Sequence, residues 1–150
     1  AKAYCNGLSA KTGHDYRLLS ESEWEYACRA GNSGKWCYGN GEVQLGDYAW
    51  YSSNSGAKTQ PVGQKKANAF GLHDMHGNVR EWVEDCYKDN YSGVPADGSA
   101  NASGDCSRRV LRGGSWFDTP VDLRSANRIR YSSDGRYNNL GFRVGRTLTP

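Results

Sequence analysis

The chain has 150 residues, which suits one domain over residues 1–150, and its formal net charge of +3 is too small to indicate a nucleic-acid partner. No apolar run approaches the ~18 residues of a membrane-spanning helix, so we expect no membrane span. Glycine, with 19 residues, is nearly twice as frequent as its usual share of about 7%. The aromatic residues are five Trp and ten Tyr against three Phe. This composition predicts an irregular, loop-rich domain rather than long amphipathic helices.

Two short helices are predicted near the N terminus. Residues 1–10 have the apolar spacing of an amphipathic helix, and Gly13 follows as a stop signal. A capping box opens the second helix, with Ser20 as the N-cap and Glu23 reaching back to it. This helix is expected to end at Gly31.

Three segments are predicted to be strands. Tyr16–Leu19 is a short one, Arg109–Arg112 runs into a Gly-Gly pair, and Leu140–Arg146 alternates apolar residues with Gly and Arg. The segments between them, residues 31–68 and 88–107, are rich in Gly, Ser and Asn and are predicted to be loops.

Five cysteines leave at least one thiol without a partner inside the chain. Cys86 and Cys106 are the best candidates for a disulfide, because their bond would close a polar loop that has little core of its own. The alternative is that the cysteines are buried structural thiols, which is common for free cysteine. The remaining cysteines are Cys5, Cys28 and Cys37. The cellular compartment stays open.

The C-terminal part is rich in arginine. After Cys106 there are nine Arg and no Lys against three Asp, a net charge of +6. The planar guanidinium can brace loops by binding carbonyl and carboxylate oxygens. Recognition of an anionic ligand or partner is the alternative.

The most specific segment of the chain is FGLHDMHGNVREW, residues 70–82. Two carboxylates, Asp74 and Glu81, flank a tight turn that can aim backbone carbonyls and both side chains at one point. Oxygen ligands of this kind suit a hard cation such as Ca2+. The expected ligands are these two side chains with the carbonyls of Gly77 and Val79.

Two other chemistries are compatible with the same segment. His73 and His76 could bind a transition metal, although no third soft ligand lies near them in the sequence. Asp74 and Glu81 could also act as the paired carboxylates of a hydrolase.

Five stretches, in chain order, resemble the formylglycine-generating enzyme (sulfatase-modifying factor) family: YRLLSESEWEYACRAG, NAFGLHDMHGNVREW, RRVLRGGSW, RSANR and LGFRV. The resemblance implies an α+β domain with a C-type-lectin-like fold and little regular secondary structure. The family's N-terminal strands have no counterpart, so either a fragment or a shortened version of its domain is expected. The resemblance also places a structural Ca2+ site on Asp74, Gly77, Val79 and Glu81.

The catalytic residues of the family do not map onto this chain. Active members oxidise a substrate cysteine with copper and oxygen, using two cysteines shortly after the Gly-Gly-Ser stretch. Here that stretch is residues 113–115, and no cysteine follows Cys106. Arg80 also stands where active members usually carry a Trp. We therefore expect no copper and no oxidase activity, with an active oxidase as the remote alternative.

The segment 116–139 is predicted to be a binding face for a protein or other macromolecular ligand. Its Tyr, Ser, Asp and Gly residues are typical of a paratope. It is also similar to the variable segment of diversity-generating retroelement proteins, which implies that it is diversified; a fixed regulatory or enzyme-accessory domain is the alternative. The expected contact residues are Trp116, Phe117, Asp118, Thr119, Asp122, Ile129, Tyr131, Ser132, Ser133, Tyr137 and Asn138.

Overall fold

Three short helices and eight short strands are joined by long loops in a computed structural model, which describes residues 1–148. The helices are α1 (Lys2–Thr12), α2 (Glu21–Arg29) and α3 (Leu45–Tyr48), with short 3-10 turns at Glu42–Gln44 and Pro120–Leu123. No helix within residues 1–148 has the length and apolar character needed to cross a membrane.

The strands form one four-stranded sheet and two small pairs. The four-stranded sheet has the order β6-β5-β4-β7, in which only the β4–β7 pair is parallel. Strand β1 pairs with β8, and β2 with β3. The bounds are β1 (Tyr16–Leu18), β2 (Ala49–Trp50), β3 (His76–Gly77), β4 (Arg80–Tyr87), β5 (Asp105–Arg112), β6 (Arg128–Ser132), β7 (Leu140–Phe142) and β8 (Val144–Arg146).

Both predicted N-terminal helices are present, with the predicted start of α2. The Ser20 hydroxyl accepts from the Glu23 backbone N–H at 3.1 Å, and the Glu23 carboxylate accepts from the Ser20 N–H at 2.9 Å. Helix α1 ends at Gly13, whose φ of 73° lies in the left-handed region. Helix α2 stops slightly earlier than predicted, because Ala30 already adopts a left-handed conformation.

The main core lies between α2 and one side of the four-stranded sheet. It consists of Trp24, Cys28, Met75, Val83 and Val110. A second cluster fixes the loop regions beside β2, and its buried members are Trp36, Leu45, Ala49 and Leu123. The large aromatic side chains thus replace the regular packing that longer helices would supply.

The predicted strand at Leu140–Arg146 is not continuous. It breaks at Arg143 into β7 and β8, which belong to different sheets. The Arg143 guanidinium donates to Glu81 Oε1 at 2.8 Å and to the His73 carbonyl at 2.9 Å, so this residue turns into the structure between the strands.

The predicted disulfide Cys86–Cys106 is formed, and the other three cysteines are buried free thiols. Asp85, next to Cys86, holds the loop that the disulfide closes. Its carboxylate accepts from the Asn101 N–H at 2.9 Å and from the Glu21 N–H at 2.6 Å. Burial raises the pKa of Asp85.

Several C-terminal arginines brace the fold. The Arg112 side chain is fully buried, pairs with Glu25 and donates to the Ser125 carbonyl at 2.9 Å. Arg128 makes two bonds of 2.7 Å to the buried carboxylate of Glu21. These contacts match the bracing interpretation of the arginine-rich segment.

Candidate binding face and calcium segment

Arg80, at the start of β4, ties together the two loops of the predicted binding face. Its backbone N–H donates to the Asn139 carbonyl at 2.8 Å, and its Nη2 donates to Asp118 Oδ1 at 2.6 Å. The other oxygen of Asp118 accepts from the Ser115 hydroxyl at 2.6 Å. One buried residue therefore contacts both loops: its side chain holds the loop after β5, and its backbone holds the loop before β7.

The loop after β5 is held at several further points. The Trp116 N–H donates to the Asn78 carbonyl at 2.9 Å, and the Ser55 hydroxyl donates to the Trp116 carbonyl at 2.7 Å. Gly114 has a φ of 72°, and a Cβ there would lie 2.6 Å from a methyl carbon of Leu123. The backbone of this loop is therefore closely fitted to the core.

The loop after β5 exposes part of its predicted contact residues. Phe117 is 56% exposed, and Thr119 and Val121 are exposed beside it. We call these three residues the loop patch. Two further predicted residues, Trp116 and Asp122, are half-buried.

Asp118 differs from its expected role as a ligand contact. Its side chain is 6% exposed and is engaged by Arg80 and Ser115. Because a buried carboxylate in an ion pair is not available at the surface, Asp118 supports the loop rather than facing a ligand.

The second half of the predicted face contains an exposed aromatic pair. Tyr131 is 38% exposed and Tyr137 is 60% exposed, with ring centroids 5.4 Å apart. Ser132, Ser133 and Asn138 are exposed around them, whereas Ile129 is half-buried. We use the name tyrosine patch for the exposed residues Tyr131, Ser132, Ser133, Tyr137 and Asn138.

The structure places the two patches at different positions along β6. The first residue of β6, Arg128, pairs with Arg112, where the loop carrying the loop patch begins. Tyr131 pairs with Arg109, three residues further along β6, which corresponds to about 10 Å. The tyrosine patch thus starts further along β6 than the strand end beside which the loop after β5 begins, and we describe the two patches separately.

A depression of about 550 Å³ lies beside the tyrosine patch. Its lining includes Trp82, Arg136, Tyr137, Leu140 and Phe142. Of these, only Tyr137 was among the contact residues expected from the sequence. The others were missed because they meet only through the register of the sheet. This register places Trp82 opposite Phe142, and the two side chains therefore lie on the same side of the sheet.

A larger cavity, of about 700 Å³, lies elsewhere, between α1, β1 and the loop around residues 97–100. It contains none of the predicted contact residues. Four of its charged side chains are paired, Lys2 with Glu84 and Arg17 with Glu23.

The segment predicted to bind calcium forms a strained turn. Asp74 and Asn78 both have positive φ values, of 57° and 61°. Gly77 is required here, because a Cβ would lie 2.1 Å from the Trp50 carbonyl oxygen. Asp74 Oδ2 accepts from the Gly63 N–H at 2.7 Å, while its buried Oδ1 has no hydrogen-bond partner within residues 1–148.

Glu81, the second predicted carboxylate ligand, is already engaged by protein groups. Trp24 Nε1 donates to its Oε2 at 2.7 Å, and Arg143 bonds to both of its oxygens at 2.8 and 3.1 Å. The guanidinium neutralises this carboxylate, which leaves little support for the paired-carboxylate hydrolase alternative.

The histidine alternative for a metal site is not supported by the geometry. His76 Nε2 accepts from the Cys37 N–H at 3.1 Å, and His76 Nδ1 lies 2.7 Å from the Leu123 carbonyl. Burial lowers the pKa of His76 to about 4, so the ring is neutral with both nitrogens engaged. In the described part of the chain, no group of three or more His, Cys, Asp or Glu side chains could hold a metal.

Curated relatives of the chain carry several different names. It is 36% identical over 132 residues to the serine/threonine-protein kinase pkn1 of Chlamydia caviae, covering 87% of this chain and 21% of the relative. It is 33% identical to the formylglycine-generating enzyme of Mycobacterium tuberculosis (94% and 54%), and 31% identical to the inactive C-alpha-formylglycine-generating enzyme 2 of Bos taurus (95% and 46%). The chain thus spans about a fifth to a half of these relatives.

Two solved structures share this fold and a substantial part of the sequence. PvdO from Pseudomonas aeruginosa has a TM-score of 0.91 and 43% identity, covering 98% of this chain and 58% of that chain. Treponema denticola variable protein 1 has a TM-score of 0.80 and 44% identity, covering 87% and 47%. The expected C-type-lectin-like α+β fold is confirmed by this similarity.

The family assignment rests on nearly the whole chain. Residues 1–148 match the family described as the sulfatase-modifying factor enzyme 1-like domain. The resemblance found in the five sequence stretches is therefore confirmed: the chain belongs to the sulfatase-modifying factor enzyme 1-like family.

Proposed function

We propose that this chain is a non-catalytic ligand- or protein-binding module whose contact surface includes the tyrosine patch. The observation that carries the proposal is the exposed pair Tyr131 and Tyr137, whose rings lie 5.4 Å apart at the end of an ordered strand. Tyrosine supplies a large contact area at a low cost in conformational entropy, which is why it is frequent in paratopes and binding hot spots.

The neighbouring residues support this role by forming a rigid base. Ser125 and Asn139 are buried, and Arg128 is held by Glu21 at the start of β6. Buried residues at positions 118, 123, 125 and 139 are thus interspersed among the exposed ones along residues 116–139. This is the arrangement expected when a fixed scaffold presents replaceable contact residues.

Retroelement diversification of residues 116–139 is a finer proposal. Its support is the similarity to Treponema denticola variable protein 1, together with the exposure of both patches. A fixed regulatory or accessory domain of the same family is the competing proposal. The family contains proteins named as enzymes and as inactive relatives, so its name alone does not decide between catalysis and binding.

The proposal of a non-catalytic role rests on the sequence after the Gly-Gly-Ser stretch. The chain has no cysteine beyond Cys106, and Cys106 is bonded to Cys86. Thiolate ligands are what Cu(I) prefers, and this segment offers none.

We also propose a structural Ca2+ in the turn after Asp74. The buried, unpartnered Asp74 Oδ1 supports this idea, because an unsatisfied carboxylate oxygen is costly unless a cation or a donor meets it. The ion would be held by Asp74 and the carbonyls of Gly77 and Val79. Glu81 would join them by exchanging its contact with Arg143 for the ion. Its role would be to neutralise Asp74 and fix the turn from which β4 begins.

Binding is tested by capturing partners from an extract of the source organism on the immobilised protein and on a Tyr131→Ala/Tyr137→Ala variant. The matched control is Tyr26→Ala/Phe70→Ala, which removes another exposed aromatic pair, with centroids 5.5 Å apart. A partner lost from the first variant and kept by the control supports the proposal. Equal capture by all three proteins argues against the tyrosine patch.

Diversification is tested by deep amplicon sequencing of the gene segment for residues 112–144 in the source population. Substitutions confined to the exposed positions, with residues 124–128 and 141–144 unchanged, would indicate a diversified binding protein. An invariant segment would favour the fixed module.

A further inference from the structure

We propose that the depression beside the tyrosine patch binds an acidic–aromatic segment of a partner protein, in which an aromatic side chain lies next to a carboxylate. This inference rests on the proposed binding function and names the class of ligand for it. The aromatic group would pack on Trp82 and Phe142, and the carboxylate would pair with Arg136.

The floor of the depression is one side of the four-stranded sheet. Trp82 lies opposite Leu111 on β5 and opposite Phe142 on β7, so all three side chains share that side. Leu111 is fully buried, whereas Trp82 and Phe142 stay half-buried. The floor therefore presents two partly open aromatic side chains.

The walls are also apolar. Tyr137, in the loop before β7, and Leu140, the first residue of β7, border the depression. Outside the lining, Tyr4 of α1 packs edge-on against Phe142 at a centroid distance of 5.4 Å. Tyr137 also packs against Tyr131, with ring centroids 5.4 Å apart. A volume of about 550 Å³ exceeds that of one side chain and lies in the range of small ligand sites. Aromatic groups suit such a lining because they add edge-to-face and offset contacts to area burial.

The positive charge of the lining favours a carboxylate in the ligand, next to its aromatic group. Arg136 is the one charged side chain among the described residues that line the depression, and no carboxylate lines it. Arg136 Nη1 donates to the Asp134 and Gly135 carbonyls at 2.9 and 3.0 Å. Its other N–H groups have no acceptor within residues 1–148, so they are free to bind a carboxylate in a charge-assisted pair.

The acidic residue Asp134, two positions before Arg136, is not part of the lining of the depression. Asp134 Oδ1 is occupied by the Ser132 hydroxyl at 2.6 Å, and the contact that Arg136 makes to this residue is to its backbone carbonyl. A cationic segment would meet the guanidinium without a compensating carboxylate in the depression. An acidic segment is therefore favoured by charge complementarity.

The test uses peptides that differ only in charge or in the aromatic group. The blocked tetrapeptides Gly-Asp-Phe-Gly, Gly-Asn-Phe-Gly and Gly-Asp-Ala-Gly are titrated into ¹⁵N-labelled protein, and the Trp82 indole N–H resonance is followed. This resonance is assigned with a Trp82→Phe variant. We expect saturable shifts, with affinity about 5-fold higher for Asp-Phe than for Asn-Phe, as for an exposed ion pair, and weaker binding of Asp-Ala.

An Arg136→Gln variant should bind Asp-Phe and Asn-Phe equally, while an Arg146→Gln variant, altered at an exposed arginine outside the depression, should keep the difference. Equal binding of these two peptides to the unaltered protein overturns the assignment of Arg136. Absence of any shift of the Trp82 resonance overturns the depression as the site. In either case, loss of partner capture in the Tyr131→Ala/Tyr137→Ala variant would still support the proposed binding function. This inference can therefore fail without the binding function failing.

Discussion

The guanidinium of Arg80 and the carboxylate of Asp118 form an ion pair at 2.6 Å in which both side chains are buried. This pair joins the first residue of β4 to the loop after β5, and the Arg80 backbone also holds Asn139. Two separate contacts of one residue therefore reach both halves of the predicted binding face, the ion pair on one side and a backbone hydrogen bond on the other. The family resemblance marked Arg80 as an exception to the usual Trp, and the structure shows which carboxylate accompanies it.

Breaking this pair is expected to destabilise the protein. Asp118→Ala should lower the free energy of unfolding by about 3–5 kcal/mol, because it leaves the buried guanidinium without a counter-charge. The measurement is urea denaturation followed by tryptophan fluorescence. The double variant Arg80→Met/Asp118→Leu should recover most of the loss, since it removes both buried charges. A loss below about 1 kcal/mol in the single variant would contradict the structural role given to the pair.

Calcium is expected to stabilise the fold. After chelation and dialysis, adding Ca2+ at about 100 times its Kd should contribute about 2.7 kcal/mol, which corresponds to a Tm increase of about 5–10 °C for a chain of this size. Differential scanning fluorimetry measures this shift. Asp74→Asn should abolish it, whereas Asp97→Asn, at an exposed loop position, should not. An unchanged Tm on chelation and on addition of Ca2+ would overturn the calcium proposal.

The stability of the protein is expected to depend on His76 between about pH 4 and 6.5. Burial lowers the pKa of His76 to about 4, so the unfolded state binds more protons than the folded state in this range. The contribution of the neutral His76 side chain to the free energy of unfolding is fully present above pH 6.5. It falls by up to about 3 kcal/mol as the pH is lowered towards 4.

Urea midpoints measured between pH 4 and 7 test this dependence. His76→Gln should flatten the curve in that range, while His14→Gln, at an exposed position, should leave it unchanged. A curve for His76→Gln with the slope of the unaltered protein would assign the pH dependence to other groups.

Reduction of the Cys86–Cys106 disulfide is expected to destabilise the chain. The bond joins residues separated by 20 positions, and closing a loop of this length contributes about 3 kcal/mol in the chain-entropy description. The measurement is the Tm with and without reductant, compared with a Cys86→Ser/Cys106→Ser variant. Reductant should not alter the Tm of that variant; a shift of the same size there would point to another effect of the reductant.

The capping box at Ser20 is expected to contribute measurably to α2. The Ser20 hydroxyl accepts from the Glu23 N–H and also donates to the Gly98 carbonyl at 2.6 Å. Ser20→Ala should therefore cost about 1–2 kcal/mol in urea denaturation. Ser22→Ala, in the first turn but outside the cap, is the matched control and should be close to neutral.

Local sequence patterns were sufficient to predict several features of the molecule. The capping residues of α2, the Gly13 helix stop and the family motifs are encoded by neighbouring residues, and each was recognisable in the sequence. The exposure of Tyr131 and Tyr137 also followed from a polar, glycine-containing segment that lacks the alternation of a buried strand.

Only the tertiary structure decided which side chains the chain brings together. Glu81 and Arg143 are 62 positions apart, and Arg80 and Asp118 are 38 apart. Local periodicity carries no information about such pairs, because strand register and loop paths determine them. For the same reason, the floor of the depression could not be predicted from the sequence, because Trp82 and Phe142 become neighbours only through the pairing of β4 with β7. The sequence by itself determined the family, the capping box of α2 and the helix stop at Gly13; the packing of distant residues decided which side chains of residues 116–139 face solvent.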